Sequence, residues 1–346
     1  MLIVRKSEVS GILESRSAEL IDLVANAYRL HDEGRTSLPH STFLRFPDAP
    51  ANRIIGLPAF IGGDNPSAGM KWIASFPGNI RAGVDRASAV IVLSSLLNGH
   101  PQAVIEASLI SAKRTAAGAA LAAGLLLPDG GAGTTGVTLI GCGVINAEIL
   151  HFLSTRLPSL TEATVYDQDP VRAAAFVRTA EEKAPGITVT VAREQAQALA
   201  AHSLVSLATT SAEPYLPVDA FRPGSTVLNV SLRDIRPQTL LDAQNVVDDA
   251  DHVCRERTSP DLAQQLSGNR DFIDASIGEL VGGATSFRRD PERTVIVSPF
   301  GLGVLDLAVA QLVYEEAQKQ QLGVAVDDFL TAAEAAPAAV PEASGR

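Results

Sequence analysis

Cysteine is nearly absent: the 346-residue chain holds two, Cys142 and Cys254, far apart and without a second pair. That excludes a disulfide framework and, with no signal peptide ahead of them, leads to the expectation of a reducing, cytoplasmic setting. Neither CxxC nor HExxH occurs, and the six histidines are scattered, so metal chemistry is not expected. Long apolar runs are also missing. The longest nearly uncharged one, Thr115 to Leu127, has 13 residues, against about 20 for a bilayer-spanning helix, so a buried helix is expected and a membrane partner is not. Basic charge is in short supply, with 28 Lys+Arg against 39 Asp+Glu and a net charge of -11. A general nucleic-acid binder would present a basic face and is disfavoured. A small anionic ligand stays compatible if cations are gathered locally.

What remains is a folded chain, 46% hydrophobic and 19% charged, longer than one core usually holds. From Val137 onward, short β-branched runs ("VTLI", "ATVY", "ITVTVA", "SLVSLAT", "STVLNVS", "NVVDD") alternate with Ala-rich helical stretches. This predicts βαβ units and a parallel sheet. The first 110 residues differ, with "MLIVRKSEV", "FLRFP", "RIIGLPAFIG" and "MKWIASFPGN" as strands broken by Pro and Gly. They predict an α+β half with a mixed or antiparallel sheet. Between the halves, "HPQAVIEASLISAKRTAAGAALAAGLLL" reads as one long helix interrupted near Lys113 to Thr115. Near the end, "VLDLAVAQLVYEEAQKQ" reads as a helix that packs back on the first half.

The stretch "VTLIGCGVINAEIL" couples a strand, a Gly-Cys-Gly turn and a helical pattern. In a dinucleotide turn the first glycine permits the bend and the second admits the pyrophosphate, which sits on the helix N-terminus; the third eases helix packing. Gly141 and Gly143 meet the two chemical needs, and Asn146 stands at the packing position, where it is expected to hold the helix slightly off. Asp167 ends the next strand 26 residues after Gly141, where a carboxylate would accept hydrogen bonds from the ribose hydroxyls and repel a 2′-phosphate. With no Arg immediately after it, NAD is favoured over NADP. Capping of the helix near Pro170 is the plainer role for Asp167, one that Asp169 could also fill. Cys142 is read as a small residue under the turn.

Three cations sit in apolar surroundings: Arg45 in "FLRFP", Lys71 beside Trp72, and Arg114 in "SAKRTAAG". Such charges need an anion, and an Arg fork suits a carboxylate. Plainer roles are a surface strand residue for Arg45, a lysine stem lying along Trp72 for Lys71, and a pair with Glu106 for Arg114. Asp234, just past the fifth strand of the parallel half, stands on the edge where open α/β sheets bind ligands, in place for a general acid/base. A turn-stabilising Asp before Pro237 is the alternative.

Together, "LPHSTFLRFP", "KWIASFPGNI", "LISAKRTAAG", "IGCGVINAEI", "NVSLRDI" and "SPFGLGVLDLA" resemble the ornithine cyclodeaminase/mu-crystallin family, nearly to Gln320. The stretches are most similar to its branch that makes 2,3-diaminopropionate for siderophores and peptide antibiotics. The resemblance implies that Arg45, Lys71 and Arg114 hold the carboxylate of a small anionic amino-acid substrate and that Asp234 transfers protons, with Lys71 also counted as catalytic. It implies NAD contacts at Gly141, Gly143, Val144, Ile145, Asp167, Thr209, the loop Ser231, Leu232 and Arg233, and also Ser88 and Thr115. A homodimer formed through residues 1–110 is implied as well. The expected division is 1–114 for substrate binding and dimerisation, completed by a helix at about 304–330, then a Rossmann-type α/β domain over 115–303 and a disordered tail over 331–346. Cyclodeaminases carry a "VGGD"-like loop where this chain has "SLRD", which counts against ornithine cyclisation, and Arg233 is an additional candidate clamp. Pro299 stands where relatives often have Ser. The rival activities are ornithine cyclodeamination, ketimine reduction and non-catalytic binding of the mu-crystallin kind.

Overall fold

The computed structural model describes residues 1–330; the tail expected over 331–346 lies outside the described residues. The first sheet is built from β1 (Leu2–Val4), β2 (Thr36–Ser37), β3 (Thr42–Arg45), β4 (Arg53–Ile61), β5 (Ser67–Ser75), β6 (Ala87–Ser94) and β7 (Pro101–Glu106). Its neighbours are antiparallel except β1 with β7, which run parallel. The sheet is therefore mixed, as its Pro- and Gly-broken strands predicted. The helices α1 (Lys6–Leu13) and α2 (Ser17–Asp32) fall between β1 and β2.

The second sheet contains β8 (Gly136–Ile140), β9 (Glu162–Tyr166), β10 (Thr188–Val191), β11 (Leu204–Leu207), β12 (Thr226–Asn229), β13 (Gln244–Val247), β14 (Ile273–Ser276) and β15 (Val295–Ser298). All its pairs are parallel, in the order β10-β9-β8-β11-β12-β15-β13-β14. Every residue of β8, β11, β12 and β15 is buried, which explains their unbroken apolar reading: helices cover both faces. The order turns back between β8 and β11, and such a switch point opens a crevice beyond the strand ends.

The crossing segment departs from expectation. Residues Pro101–Glu106 form β7, and α3 (Ser108–Leu126) then runs without interruption. The alternation in "QAVIE" is a strand signal, and Lys113 and Arg114 leave the helix intact because each finds a carboxylate partner. The 114/115 boundary thus falls inside α3. Twelve of its residues are buried, so the helix crosses the protein interior. One continuous apolar cluster joins α2, α3, α4 (Val144–Arg156) and residues of both sheets. The last helix, Gly303–Lys319, packs on β4 and β5 of the first sheet as expected. A final short strand, β16 (Val324–Ala325), pairs antiparallel with β1.

Candidate active site

At the switch point, Gly141 adopts φ +94°, and a Cβ there would come within 2.5 Å of the Ala208 carbonyl oxygen. Only glycine lets the turns after β8 and β11 approach so closely. Gly143 is the N-cap of α4, with no side chain satisfying the first amides of the helix. Those free N–H groups and the helix dipole make an anion site. Val144 and Ile145 line the adjoining cavity, a space of about 1120 Å³ that Thr115, Asp167, Thr209 and Arg114 also border. The Asp167 carboxylate accepts the Cys142 N–H at 2.8 Å and the Asp169 N–H at 3.0 Å, so it pins the glycine turn while facing the cavity. The cap of α5 (Pro170–Lys183) is Asp169, which accepts from Val171 and Arg172, leaving Asp167 free of that role. Burial pushes the Cys142 thiol up to about 12, which keeps it protonated. These features fit a dinucleotide: glycine clearance, unsatisfied helix amides and a carboxylate at the end of β9.

Two neighbours of this cradle have roles that sequence reasoning missed. Arg172, five positions past Asp167 and so not adjacent in sequence, returns on α5 to place Nε 4.0 Å from the Asp167 carboxylate and lines the cavity. Asn146, expected only to hold α4 slightly off the sheet, has a bonding role as well. It is buried, and its Nδ2 donates to the carbonyls of Ile140 (2.9 Å) and Gly141 (2.7 Å) while its Oδ1 accepts from Ser206 Oγ (2.8 Å). The amide laces the turn to α4 and β11.

On the first sheet, Lys71 and Trp72 point to opposite faces, because successive strand residues alternate. Trp72 is exposed, whereas Lys71 is 2% exposed and donates to Asp306 at 2.6 Å and Ser111 at 3.3 Å. Arg114 pairs through Nε with the other Asp306 oxygen at 3.1 Å, while Glu106 bonds Ser108. Asp306 was missed in the sequence, although a lone acid in "VLDLAVA" is the same signal that drew attention to Arg114. Burial lowers Lys71 to about 8, opposed by the charge of Asp306.

Asp234 is fully buried, and its carboxylate accepts from Thr209 Oγ1 at 2.5 Å and from Ser231 Oγ. Thr209 stands between it and the cavity. Leu232 holds φ +67° with its side chain packed among Val247, Val253 and Cys254, a left-handed conformation that glycine adopts freely. Ser231, Leu232 and Arg233 sit behind the cavity wall, which Val230, Pro299 and Phe300 form instead. Arg233 donates to the Glu256 carbonyl at 2.8 Å, and Arg45, half exposed, pairs with the Glu256 carboxylate. The expectation for Ser88 is corrected: β6 turns it to the outer, exposed face opposite the cavity, and its neighbours Arg86 and Ala87 line the cavity instead. The period of two puts the wall one residue earlier.

A parallel sheet with a glycine turn and a carboxylate just past the end of β9, beside a second sheet bearing buried cations, fits an NAD-dependent oxidoreductase, the class to which the similar proteins belong. The chain belongs to the ornithine cyclodeaminase/mu-crystallin family, whose sequence profile matches residues 2–321. It is 29% identical to the N-((2S)-2-amino-2-carboxyethyl)-L-glutamate dehydrogenase of Staphylococcus aureus, over 94% of this chain and 98% of that protein. Among solved structures it is similar to CmnK, with a TM-score of 0.87 at 29% identity, covering 95% of this chain and 98% of the other. It is similar also to an archaeal alanine dehydrogenase dimer with bound NAD, with a TM-score of 0.83 at 26% identity, covering 95% and 99%.

Proposed function

We propose that the protein catalyses the NAD-dependent oxidative hydrolysis of N-(2-amino-2-carboxyethyl)-L-glutamate to L-2,3-diaminopropionate and 2-oxoglutarate, supplying siderophore or peptide natural-product synthesis. The observation that carries this reading is the buried group of Lys71 and Arg114 around one carboxylate, Asp306, beside the dinucleotide cradle. Two cations and one anion leave a positive charge for a substrate carboxylate. Likeness to the Staphylococcus aureus dehydrogenase supports the choice of substrate.

NAD+ supplies the hydride acceptor for the glutamate α-carbon. Lys71 and Arg114 hold the adjacent carboxylate and so fix that carbon in the cavity. As water adds to the substrate C=N bond, Thr209 passes a proton to Asp234, which returns it to the departing nitrogen. The balance is amine, water and NAD+ giving diaminopropionate, 2-oxoglutarate, NADH and a proton. Arg233 lies behind the cavity wall and bonds the Glu256 carbonyl, so its part as an additional clamp is indirect, through the segment whose Glu256 carboxylate holds Arg45. In "SLRD", the buried Leu232 and the Arg233 charge leave a tighter loop than one with two glycines, which disfavours ornithine cyclisation. The protein acts as a homodimer through residues 1–110, whose outer sheet face carries exposed Met70, Trp72 and Val90.

The test is incubation with NAD+ and the glutamate-linked amine, in parallel with ornithine, following NADH and the products. NADH accumulating together with 2-oxoglutarate is expected. Proline and ammonia from ornithine without net NADH would overturn the proposal.

A further inference from the structure

Across the first sheet, Arg45 on β3 is the direct partner of Arg53 on β4, which in turn is the partner of Ser75 on β5. Directly opposed residues share a face, and like charges there destabilise the pair. A third guanidinium joins the row, since Arg86 Nε donates to Ser75 Oγ at 3.3 Å. Three cations in one row require anions, yet the nearby carboxylate, Glu256, is taken by Arg45. Among the described residues Arg53 has no ion pair and no side-chain hydrogen bond, and its Nε is sealed from solvent without a partner. A guanidinium carries five donors and cannot shed its charge, so a half-buried one whose Nε lacks an acceptor, and which borders the cavity, is suited to an anionic ligand. Burial first, and then the charge of Arg45, push Arg53 down from its ordinary value, with only Glu256 opposing.

Arg53 lines the same cavity as Arg86, Arg114 and the glycine turn. It lies on the face that carries Lys71, because Leu57 is the Lys71 partner and Arg53 the Ser75 partner. The two rows stand four steps apart along β5, about 13 Å between backbones. Long side chains on one face can shorten such a gap to one that a diacid bridges.

We infer that Arg53 takes the distal carboxylate of the substrate and makes the cavity selective for acids with a second carboxylate. The inference rests on the proposed function in one respect, that Lys71 and Arg114 hold the first carboxylate. An acid with a single carboxylate leaves Arg53 unpaired, whereas a diacid or triacid satisfies both rows at once.

Calorimetric titration of the NADH-loaded protein with 2-oxoglutarate and with 2-oxopentanoate, the same chain without its distal carboxylate, tests this. The wild type binds the diacid at least about tenfold more tightly, a difference of about 1.4 kcal/mol. Arg53→Gln loses that preference while its affinity for 2-oxopentanoate stays within about twofold, and Arg53→Lys, which keeps the charge, retains part of the preference. A wild type without the preference overturns the inference, as does Arg53→Gln that keeps it or weakens both acids equally. Should Arg53→Gln not fold, the Arg53→Lys preference decides: a value unchanged from the wild type overturns the assignment, and a reduced one supports it. A wild type that prefers the diacid yet fails to oxidise the glutamate-linked amine sinks the proposed function and leaves this inference standing.

Discussion

Lys71 Nζ donates to Asp306 Oδ2 at 2.6 Å in a pair closed to solvent, joining the fifth strand of the first sheet to the last helix of the chain. Burial lowers the lysine to about 8 and the aspartate opposes that shift. The lysine is charged below that pH and loses its charge as pH rises through it. Binding of an anionic substrate should therefore weaken on the alkaline side of pH 8.

Asp306→Asn removes the opposing charge, so the alkaline limb of kcat/KM should move about one unit toward lower pH. Stability should fall by about 3 kcal/mol, because one neutral amide then faces two buried cations. A pH profile with its limb unmoved would take Lys71 out of carboxylate binding. Denaturant melts check the second figure.

Asn146→Ala should raise the KM for NAD+ about tenfold, as loss of the lacing amide loosens the turn. Unfolding free energy should drop by about 1–3 kcal/mol, because Ser206 and the turn carbonyls lose a buried partner. Ser206→Ala should reproduce only the smaller share of both effects. An unchanged KM in Asn146→Ala would reduce the residue to a packing role.

Much of this architecture could be read from the chain. Short β-branched runs alternating with Ala-rich stretches announced the parallel sheet, and a cation isolated in an Ala-rich helix drew attention to Arg114. What stayed hidden depended on spatial return. Arg172 comes back along α5 to Asp167, and Arg53 gains its meaning from a register with Arg45 that no local pattern displays. Asn146 was judged by the space it fills, whereas its two-sided hydrogen bonding decides its effect. Ser88 failed by a single residue, the smallest error that reverses the face of a strand.

Cofactor choice should hinge on Asp167 and Arg172. Asp167→Ser removes the carboxylate that repels a 2′-phosphate and frees the Arg172 guanidinium, which now lies 4.0 Å away. The variant should lose about tenfold in kcat/KM with NAD+ and gain about tenfold with NADP+. Adding Arg172→Ala should cancel the gain with NADP+. Parallel initial rates with the two cofactors measure both.

Asp234→Asn should keep NAD+ binding, read by NADH fluorescence titration, and lose turnover by about 100-fold or more. Thr209→Val should lower kcat by about tenfold with little change in substrate KM, because it cuts the hydroxyl between cavity and carboxylate. Retained turnover in Asp234→Asn would remove that residue as the proton carrier.

Trp72→Glu, on the exposed face of β5, should turn a dimer into a monomer in sedimentation without disturbing the opposite, Lys71 face. A charge of that kind inside an apolar interface costs several kcal/mol. An unchanged sedimentation coefficient would place the contact elsewhere.

The chain closes on itself, with β16 pairing with β1 and Asp306 reaching back to Lys71. During synthesis the first sheet must therefore wait, its edge unpaired and its buried lysine without a counter-ion, until Asp306 and then Val324 and Ala325 have emerged. Such long-range closure slows folding and exposes a waiting edge to wrong partners. A prematurely terminated chain that stops before Asp306 would contain every residue of the dinucleotide cradle and still lack the anion that holds Lys71 and Arg114.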